Sequence, residues 1–558
     1  MRRQRFTKEP ELTPNARVVL EKRYLKKDEQ GRIQETPRQL FERVACAIAE
    51  AGAKGNSQSS ALWAERFFEL MVSRRFLPNS PTLMNAGKKR AQLSACFVLP
   101  VEDSLEGIFE TLKQAAKIHQ SGGGTGFSFS SLRGRGSVVR STHGVASGPV
   151  SFMQIYDQAT ETIKQGGTRR GANMGVLRVD HPDIFEFIRS KQQQGGPQGS
   201  QKSNQKSKLT NFNISIGVTN EFMNAVGANE KFTLRDPQTK NPTRQVQAKE
   251  LFAVAVHSAW ETGDPGLVFL DRINLFNPTP RAGGIESTNP CGEQPLLAYE
   301  SCNLGSLNLG MYWKNGAFDW NLLRQDVYWS VRFLDHVIDA NEFPVVASAR
   351  VTRKNRKIGL GVMGFADVLL MMGLAYEGQG ARDFGEKVMS FIDREAKRAS
   401  SVLARERGPF PNWKGSLWQR LGFPPLRNAT VSTVAPTGTI SMIAGCSSGI
   451  EPVFSAAYYK NVLGGEKLLE VHPAAAEKAW SPAHKISVEA HVAMQAVFQR
   501  SSDSAVSKTV NLPENASPDE VARAYLLAFE LGYKGITVFR DKSRETQVLE
   551  SVDTCLDC

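Results

Sequence analysis

The sequence lacks an apolar stretch behind its basic start. "MRRQRFTKEPELTP" runs at once into charged and proline-bearing residues, so no secretory signal is indicated and a cytoplasmic location is expected. It also lacks an uncharged run of membrane-spanning length. The nearest candidate, "IGLGVMGFADVLLMMGLAY" at 358–376, carries Asp367 at its middle and four glycines, and is read as a buried element. Cysteine is sparse: seven residues, at 46, 96, 291, 302, 446, 555 and 558, an odd and scattered set that excludes a secreted disulfide framework. No second CxxC accompanies "TCLDC", so the two further ligands of a zinc site are not evident and no metal-ligand set is assigned. There is no Walker A loop, no dinucleotide fingerprint and no repeat at a solenoid period.

What is there is a chain of 558 residues, long enough to bury a large core, with a net charge of +13 that suits polyanions, whether nucleic acid or nucleoside phosphates. "TPRQLFERVACAIAEAGAK" opens with Thr36 as a cap and Pro37 at the first helical position. It then sets Leu40, Phe41, Val44 and Ile48 at helical spacing, which predicts a helical lead-in over the first eighty or so residues, with Cys46 a buried, inert thiol. Further on, "SACFVLPV", "TNFNISIGV", "GLVFL", "NATVSTVAP" and "GITVF" read as strands or strand-to-loop transitions. Helical patterns at 104–120 and 519–532 lie between them, so the class is mixed α/β. "KQQQGGPQGSQKSNQKSK", 191–208, has no apolar residue and is read as a flexible exposed insertion.

Five constellations can carry chemistry. "STNPCGEQPL" puts Asn289, Cys291 and Glu293 two residues apart; if extended, they face one space with an amide, a thiol and a carboxyl. Cys96 in "LSACFVLP" and Cys302 in "YESCNLGSLNL" would form a two-electron dithiol if they meet, which spacing cannot show. "STVAPTGTISMIAG", 432–445, ends a β-rich run at Pro436 in small hydroxyl residues at a helix start, which suits a phosphate or equally an ordinary helix cap. The glycine-rich stretches 119–137 and 164–175 carry Arg133, Arg135, Arg169 and Arg170 and suit either phosphate contacts or tight turns. Cys555 and Cys558 read as a redox dithiol more readily than as half a zinc site.

Taken together, "FLPNSPTLMNAG", "GDPGLVFLDRIN", "STNPCGEQPLL", "NRKIGLGVMGFADVLL", "APTGTIS" and "AVSKTVNLP" resemble, in order, the blocks of the catalytic chain of ribonucleotide reductase, specifically the class II, adenosylcobalamin-dependent type. The resemblance covers nearly the whole chain. It implies a ten-stranded α/β barrel of two five-stranded halves with a central finger loop. Residues 1–85 would be a helical N-terminal region, 86–545 the barrel and 546–558 a mobile redox tail. It also implies roles. Cys291 would carry a thiyl radical, Glu293 would act as base for the 3′ hydroxyl, and Asn289 would hold the sugar hydroxyls. Cys96 and Cys302 would be the reducing pair, re-reduced by Cys555 and Cys558 and then by thioredoxin or a similar donor. Ser80, Ala95, Gly124 and Pro436, Thr437, Gly438, Thr439 and Ile440 would contact the ribonucleotide. Asp103, Arg133, Arg169 and Arg170 would belong to a site for a deoxynucleoside triphosphate effector at a homodimer interface.

The radical source is chosen by elimination within the family. The stretch "YKGITVFRD" has Val538 and Phe539 where an aerobic two-subunit enzyme would carry its tyrosine relay; the pair Tyr458 and Tyr459 lies too close to the phosphate loop to replace it. "LGYKG" lacks the arginine of a glycyl-radical loop, which leaves cobalamin. The rivals are the large subunit of a metal-dependent reductase that has lost its tyrosines, and a basic nucleic-acid-binding protein. The second gives no reason for "NPCGE" or "APTGTIS", so stable nucleic-acid binding is not expected. The long insertion at 191–208 and the brief tail depart from the family pattern.

Overall fold

The structure is a computed structural model that describes residues 6–89, 91–138, 144–163, 171–192, 209–462, 466–472, 480–543 and 549–551. Arg169, Arg170, residues 193–208 of the insertion, Cys555 and Cys558 lie outside the described residues.

The N-terminal region is helical as its caps predict. The Thr36 hydroxyl accepts from Gln39 N, and the Gln39 side chain accepts from Thr36 N, closing a capping box ahead of the helix Pro37–Ala53. Leu40, Phe41, Val44 and Ile48 are fully buried, against the helices Ser57–Val72 and Trp320–Ala340 among others. Cys46 is only half-buried, contrary to the expected interior position, since it falls beside the apolar stripe and not within it.

Ten strands form one mixed sheet. They are β1 (Phe76–Pro78), β2 (Cys96–Pro100), β3 (Gly124–Ser128), β4 (Asn173–Arg178), β5 (Phe212–Val218), β6 (Gly266–Phe269), β7 (Ser301–Asn308), β8 (Ile358–Met363), β9 (Thr509–Leu512) and β10 (Gly535–Arg540). Strands β2 to β6 are parallel neighbours in sequence order. At one edge β7 joins β2 antiparallel, and at the other β10 joins β6 antiparallel. β8 is parallel to β7, and β9 to β10.

The segment around "TVSTVAP" links these two ends. It is bridged parallel to β8 at Ser432 and to the run before β9 at Val434, through bonds that include Leu360 N to Val431 O and Val434 N to Ala505 O. With it counted, hydrogen-bonded neighbours make a circuit of two parallel sets, and β1 lies outside, antiparallel on β7. Because both junctions are antiparallel, the N-terminal ends of the first set and the C-terminal ends of the second open at one mouth.

Alternation along each strand divides inside from outside. Ile214, Ile216, Leu267, Phe269, Ile536 and Val538 enter a buried cluster with the outer helices, which leaves Asn213, Ser215, Gly266, Thr537 and Phe539 facing inward. The apolar stretch at 358–376 is β8 and the helix Phe365–Met371, both in the core. Among the described residues no helix is long and apolar enough to cross a membrane.

Candidate active site

Residues 287–296 enter the barrel as a hairpin, Ser287–Thr288 against Pro295–Leu296. It passes so close to β3 that a Cβ on Gly126 would lie 1.7 Å from the Thr288 carbonyl oxygen, so only glycine fits there. Both halves hold the hairpin: Asn213 Nδ2 donates to Pro290 O at 2.8 Å from the first, and Ala505 N and Thr433 Oγ1 donate to Glu293 O at 2.9 and 3.0 Å from the second.

The tip is not extended. Gly292 adopts φ +81° and its N–H turns back to Asn289 O at 3.1 Å, so Asn289 and Glu293 are buried while Cys291 is exposed at the turn. The expectation that alternation alone would put the three on one face is therefore corrected: a turn gathers them around a common neighbour, Cys96.

Cys96 on β2 stands directly opposite Cys302 on β7 in antiparallel register. Cross-strand partners lie about 4.5–5.5 Å apart at Cα, within the range a disulfide spans. Asn289 Nδ2 donates to Cys96 Sγ at 3.1 Å. Burial pushes the Cys96 thiol well above its ordinary range, and the charges of Glu293, Cys302 and Cys291 push the same way. Burial likewise raises Cys302, against the pull of the Lys357 ammonium. Both thiols therefore keep their protons at neutral pH.

The loop after Val434 turns at Thr437, with φ +56°, into the short helix Gly438–Ala444; Thr437 Oγ1 accepts from Gly449 N at 2.8 Å. Thr439 and Ser80, 359 residues apart, approach to 3.3 Å between their hydroxyl oxygens. Tyr24 joins them, its hydroxyl 2.7 Å from Ser80 Oγ and 2.9 Å from Thr439 Oγ1. Ala95 and Gly124 lie at the same mouth, where Gly124 N donates to Ala95 O at 2.9 Å and a Cβ on Gly124 would meet Pro290 at 3.0 Å.

Away from this mouth, Asp103 and Arg133 form an ion pair of 2.8 Å and hold each other. Among the described residues, no group of three or more His, Cys, Asp or Glu side chains is placed to hold a metal ion.

Sequence reasoning missed Tyr24, which carries no motif in "EKRYLKK", and the pair Glu300–Lys357, whose 2.7 Å contact lies beside Cys302 with both side chains essentially inaccessible. Val538 packs outward against the helices, so the inward positions of β10 are Thr537 and Phe539, and neither is a tyrosine.

Comparison with known proteins identifies the family. The chain matches the family described as "Ribonucleotide reductase, all-alpha domain" over residues 10–91, and "Ribonucleotide reductase, barrel domain" over 94–425, 423–480 and 470–539. It is 48% identical to the vitamin B12-dependent ribonucleoside-diphosphate reductase of Thermoplasma acidophilum over 96% of this chain and 80% of that one. It is 45% identical to the protein of the same name from Mycobacterium tuberculosis, over 97% and 81%. Against the ribonucleoside-diphosphate reductase subunit alpha of Chlamydia pneumoniae identity falls to 28%, over 78% and 47%. With a finger hairpin carrying an exposed cysteine, an opposed buried cysteine pair and both family domains matched along its length, the chain belongs to the ribonucleotide reductase family.

Proposed function

We infer that the protein reduces ribonucleotides, as ribonucleoside diphosphates, to 2′-deoxyribonucleotides with adenosylcobalamin. The observation that carries this reading is the exposed Cys291 at the hairpin tip, next to the buried, facing Cys96 and Cys302. The wall beside Cys291 suits approach by a large external group at Asn213, Ser215, Gly266 and Thr537, which are small or polar, with Phe539 the one large inward side chain of β10; Gly266 keeps the strands close, since a Cβ there would lie 2.9 Å from Ile536 O, 3.1 Å from Ser215 Oγ and 3.2 Å from Thr537 Oγ1. Asn213, Ser215 and Thr537 are the residues that would face the cofactor. Bound there, adenosylcobalamin supplies the one-electron oxidising equivalent by which a thiol loses its hydrogen atom.

The chain's own groups do the rest. Cys291, as a thiyl radical, takes the 3′ hydrogen atom. The Glu293 carboxylate accepts the 3′ hydroxyl proton, while Asn289 orients the sugar. One thiol of the Cys96–Cys302 pair protonates the departing 2′ hydroxyl, which leaves as water. The pair supplies two electrons and two protons in total and ends as a disulfide, after which Cys291 returns its hydrogen atom to C3′. Pro436 to Ile440, with Ser80, Ala95 and Gly124, hold the nucleotide.

Cys555 and Cys558 re-reduce the disulfide and are themselves reduced by thioredoxin or a similar donor. Asp103 and Arg133, with Arg169 and Arg170, belong to the effector region of a homodimer that takes a deoxynucleoside triphosphate. The chemistry belongs in the cytoplasm, where the reductant is maintained.

Deoxynucleotide formation with adenosylcobalamin and dithiothreitol, and no second subunit, tests the reading; dependence on an added metal-containing subunit would overturn it. Cys555→Ala is expected to lose thioredoxin-driven turnover and keep most of its dithiothreitol-driven turnover, since a small thiol can reach the disulfide without the tail. Tyr24→Phe removes one hydroxyl from the phosphate side and is expected to raise KM about three- to tenfold, the worth of a hydrogen bond or two, with kcat nearly unchanged.

A further inference from the structure

Among the described residues five lysines are buried: Lys191, Lys357, Lys460, Lys508 and Lys534. Three of them meet a carboxylate, Lys191 on Asp264 at 2.8 Å, Lys357 on Glu300 at 2.7 Å and Lys508 on Glu451 at 3.2 Å. Lys534 instead donates to three carbonyl oxygens, of Ser502, Ser504 and, at 2.6 Å, Asp503. Lys460 has neither solution. It is 8% exposed, and its ammonium donates to one carbonyl, Gly438 O, at 2.9 Å, with no carboxylate in ion-pair range among the described residues.

One carbonyl dipole does not neutralise a buried ammonium, which is retained where an anion pairs it. Burial lowers its affinity for the proton, and the Glu470 carboxylate, beyond ion-pair range, opposes this only in part.

The place of Lys460 identifies that anion. It sits on the strand Ala457–Val462, paired on one edge with Glu466–Val471 and on the other with Leu549–Ser551. The strand brings the ammonium to Gly438, one residue before the Thr439 that meets Ser80 and Tyr24. The space at Gly438 is open, with nothing within 4 Å of where a Cβ would stand.

We propose that Lys460 is a phosphate-recognition residue, which pairs with the terminal phosphate of a ribonucleoside diphosphate and makes the site prefer diphosphates over monophosphates. This rests on reading Pro436–Ile440 as the substrate phosphate loop. Hydroxyl groups hold the loop and its ligand from one side and a single full charge meets them from the other. The charge is costly while the site is empty and compensated when it fills.

Calorimetric titration of the full-length protein with CDP and with CMP tests this, in wild type, Lys460→Met and Lys460→Arg, with unfolding temperatures measured alongside. Lys460→Met is expected to weaken CDP binding about tenfold or more, the usual scale for a charge-assisted phosphate contact, and CMP binding by less than about twofold. Lys460→Arg should restore most of the CDP affinity. The ligand-free methionine variant should unfold at the same or a higher temperature, because an unpaired buried charge has gone, whereas a merely structural lysine would lower it. Equal losses for CDP and CMP, or no loss for either, overturn the proposal while leaving the substrate reading intact. Failure of the wild type to bind either nucleotide overturns the substrate reading itself.

Discussion

Cys291→Ala is expected to abolish deoxynucleotide formation while leaving the fold and nucleotide binding unchanged. The side chain is exposed at a turn whose shape is set by other groups: Gly292 at positive φ, Asn213 on the Pro290 carbonyl, and Thr433 and Ala505 on the Glu293 carbonyl. None of these contacts passes through the Cys291 sulfur, so replacing a surface thiol by a methyl group costs within about 0.5 kcal/mol of stability. Chemistry, by contrast, has no substitute. An alanine has no weak S–H bond from which to make a radical, and the other described cysteines cannot stand in. Cys96 and Cys302 are buried and face each other as the proposed two-electron pair, while Cys46 and Cys446 pack against the hydrophobic core away from the hairpin tip. Product analysis with adenosylcobalamin and dithiothreitol should show turnover below detection, with CDP affinity within about twofold of wild type and an unchanged unfolding temperature. Turnover near the wild-type rate would remove Cys291 from the mechanism and with it the radical reading of the hairpin.

Much of this was legible in the sequence, for reasons that differ element by element. Thr36, Pro37 and the spacing of Leu40, Phe41, Val44 and Ile48 act locally, so the helix Pro37–Ala53 follows from its own residues. The runs around Cys96, Phe212, Gly266 and Gly535 are strands as their apolar content predicts. "NATVSTVAP" is harder, because its pairing is limited to bridges at Ser432 and Val434, and its place between β8 and β9 depends on partners 72 residues away in either direction.

The hairpin tip illustrates the limit. The candidate residue types were visible as Asn289, Cys291 and Glu293, but their arrangement was not. An alternation rule applies to a strand, and Pro290 with Gly292 makes a turn. The meeting of Cys96 with Cys302 is a property of antiparallel register across 206 residues of chain, and composition carries no trace of it. Tyr24 and Lys460 were illegible for a simpler reason. Each matters through one atom placed at the same loop by a distant element, and neither sits in a pattern of its own.

Lys357→Met is expected to cost about 3–5 kcal/mol of stability, the penalty for leaving one partner of a buried ion pair without the other. Glu300 is fully inaccessible and its carboxylate is shared between Lys357 Nζ at 2.7 Å, Asn355 Nδ2 at 2.7 Å and Leu297 N at 2.8 Å. Methionine fills the space of the lysine stem but offers no charge. The shift of the urea midpoint should therefore be large, and the double variant Lys357→Met with Glu300→Leu should recover much of it, since removing both charges leaves none stranded.

The same pair has an electrostatic hand on the redox chemistry. The Lys357 ammonium holds the Cys302 thiol down against burial, and the Glu300 carboxylate pushes it up. In Lys357→Met the remaining influences, burial and the Glu300 and Glu293 carboxylates, all act upward. On the proposed mechanism Cys302 then becomes a poorer leaving group when a thiol attacks the Cys96–Cys302 disulfide, and turnover should slow most when the reductant is limiting. In the double variant the two opposed influences vanish together, so the exchange rate should return toward wild type along with the stability. Recovery of stability without recovery of the exchange rate would show instead that Lys357 acts on the disulfide through its backbone position, where its carbonyl oxygen lies 3.6 Å from Cys302 Sγ.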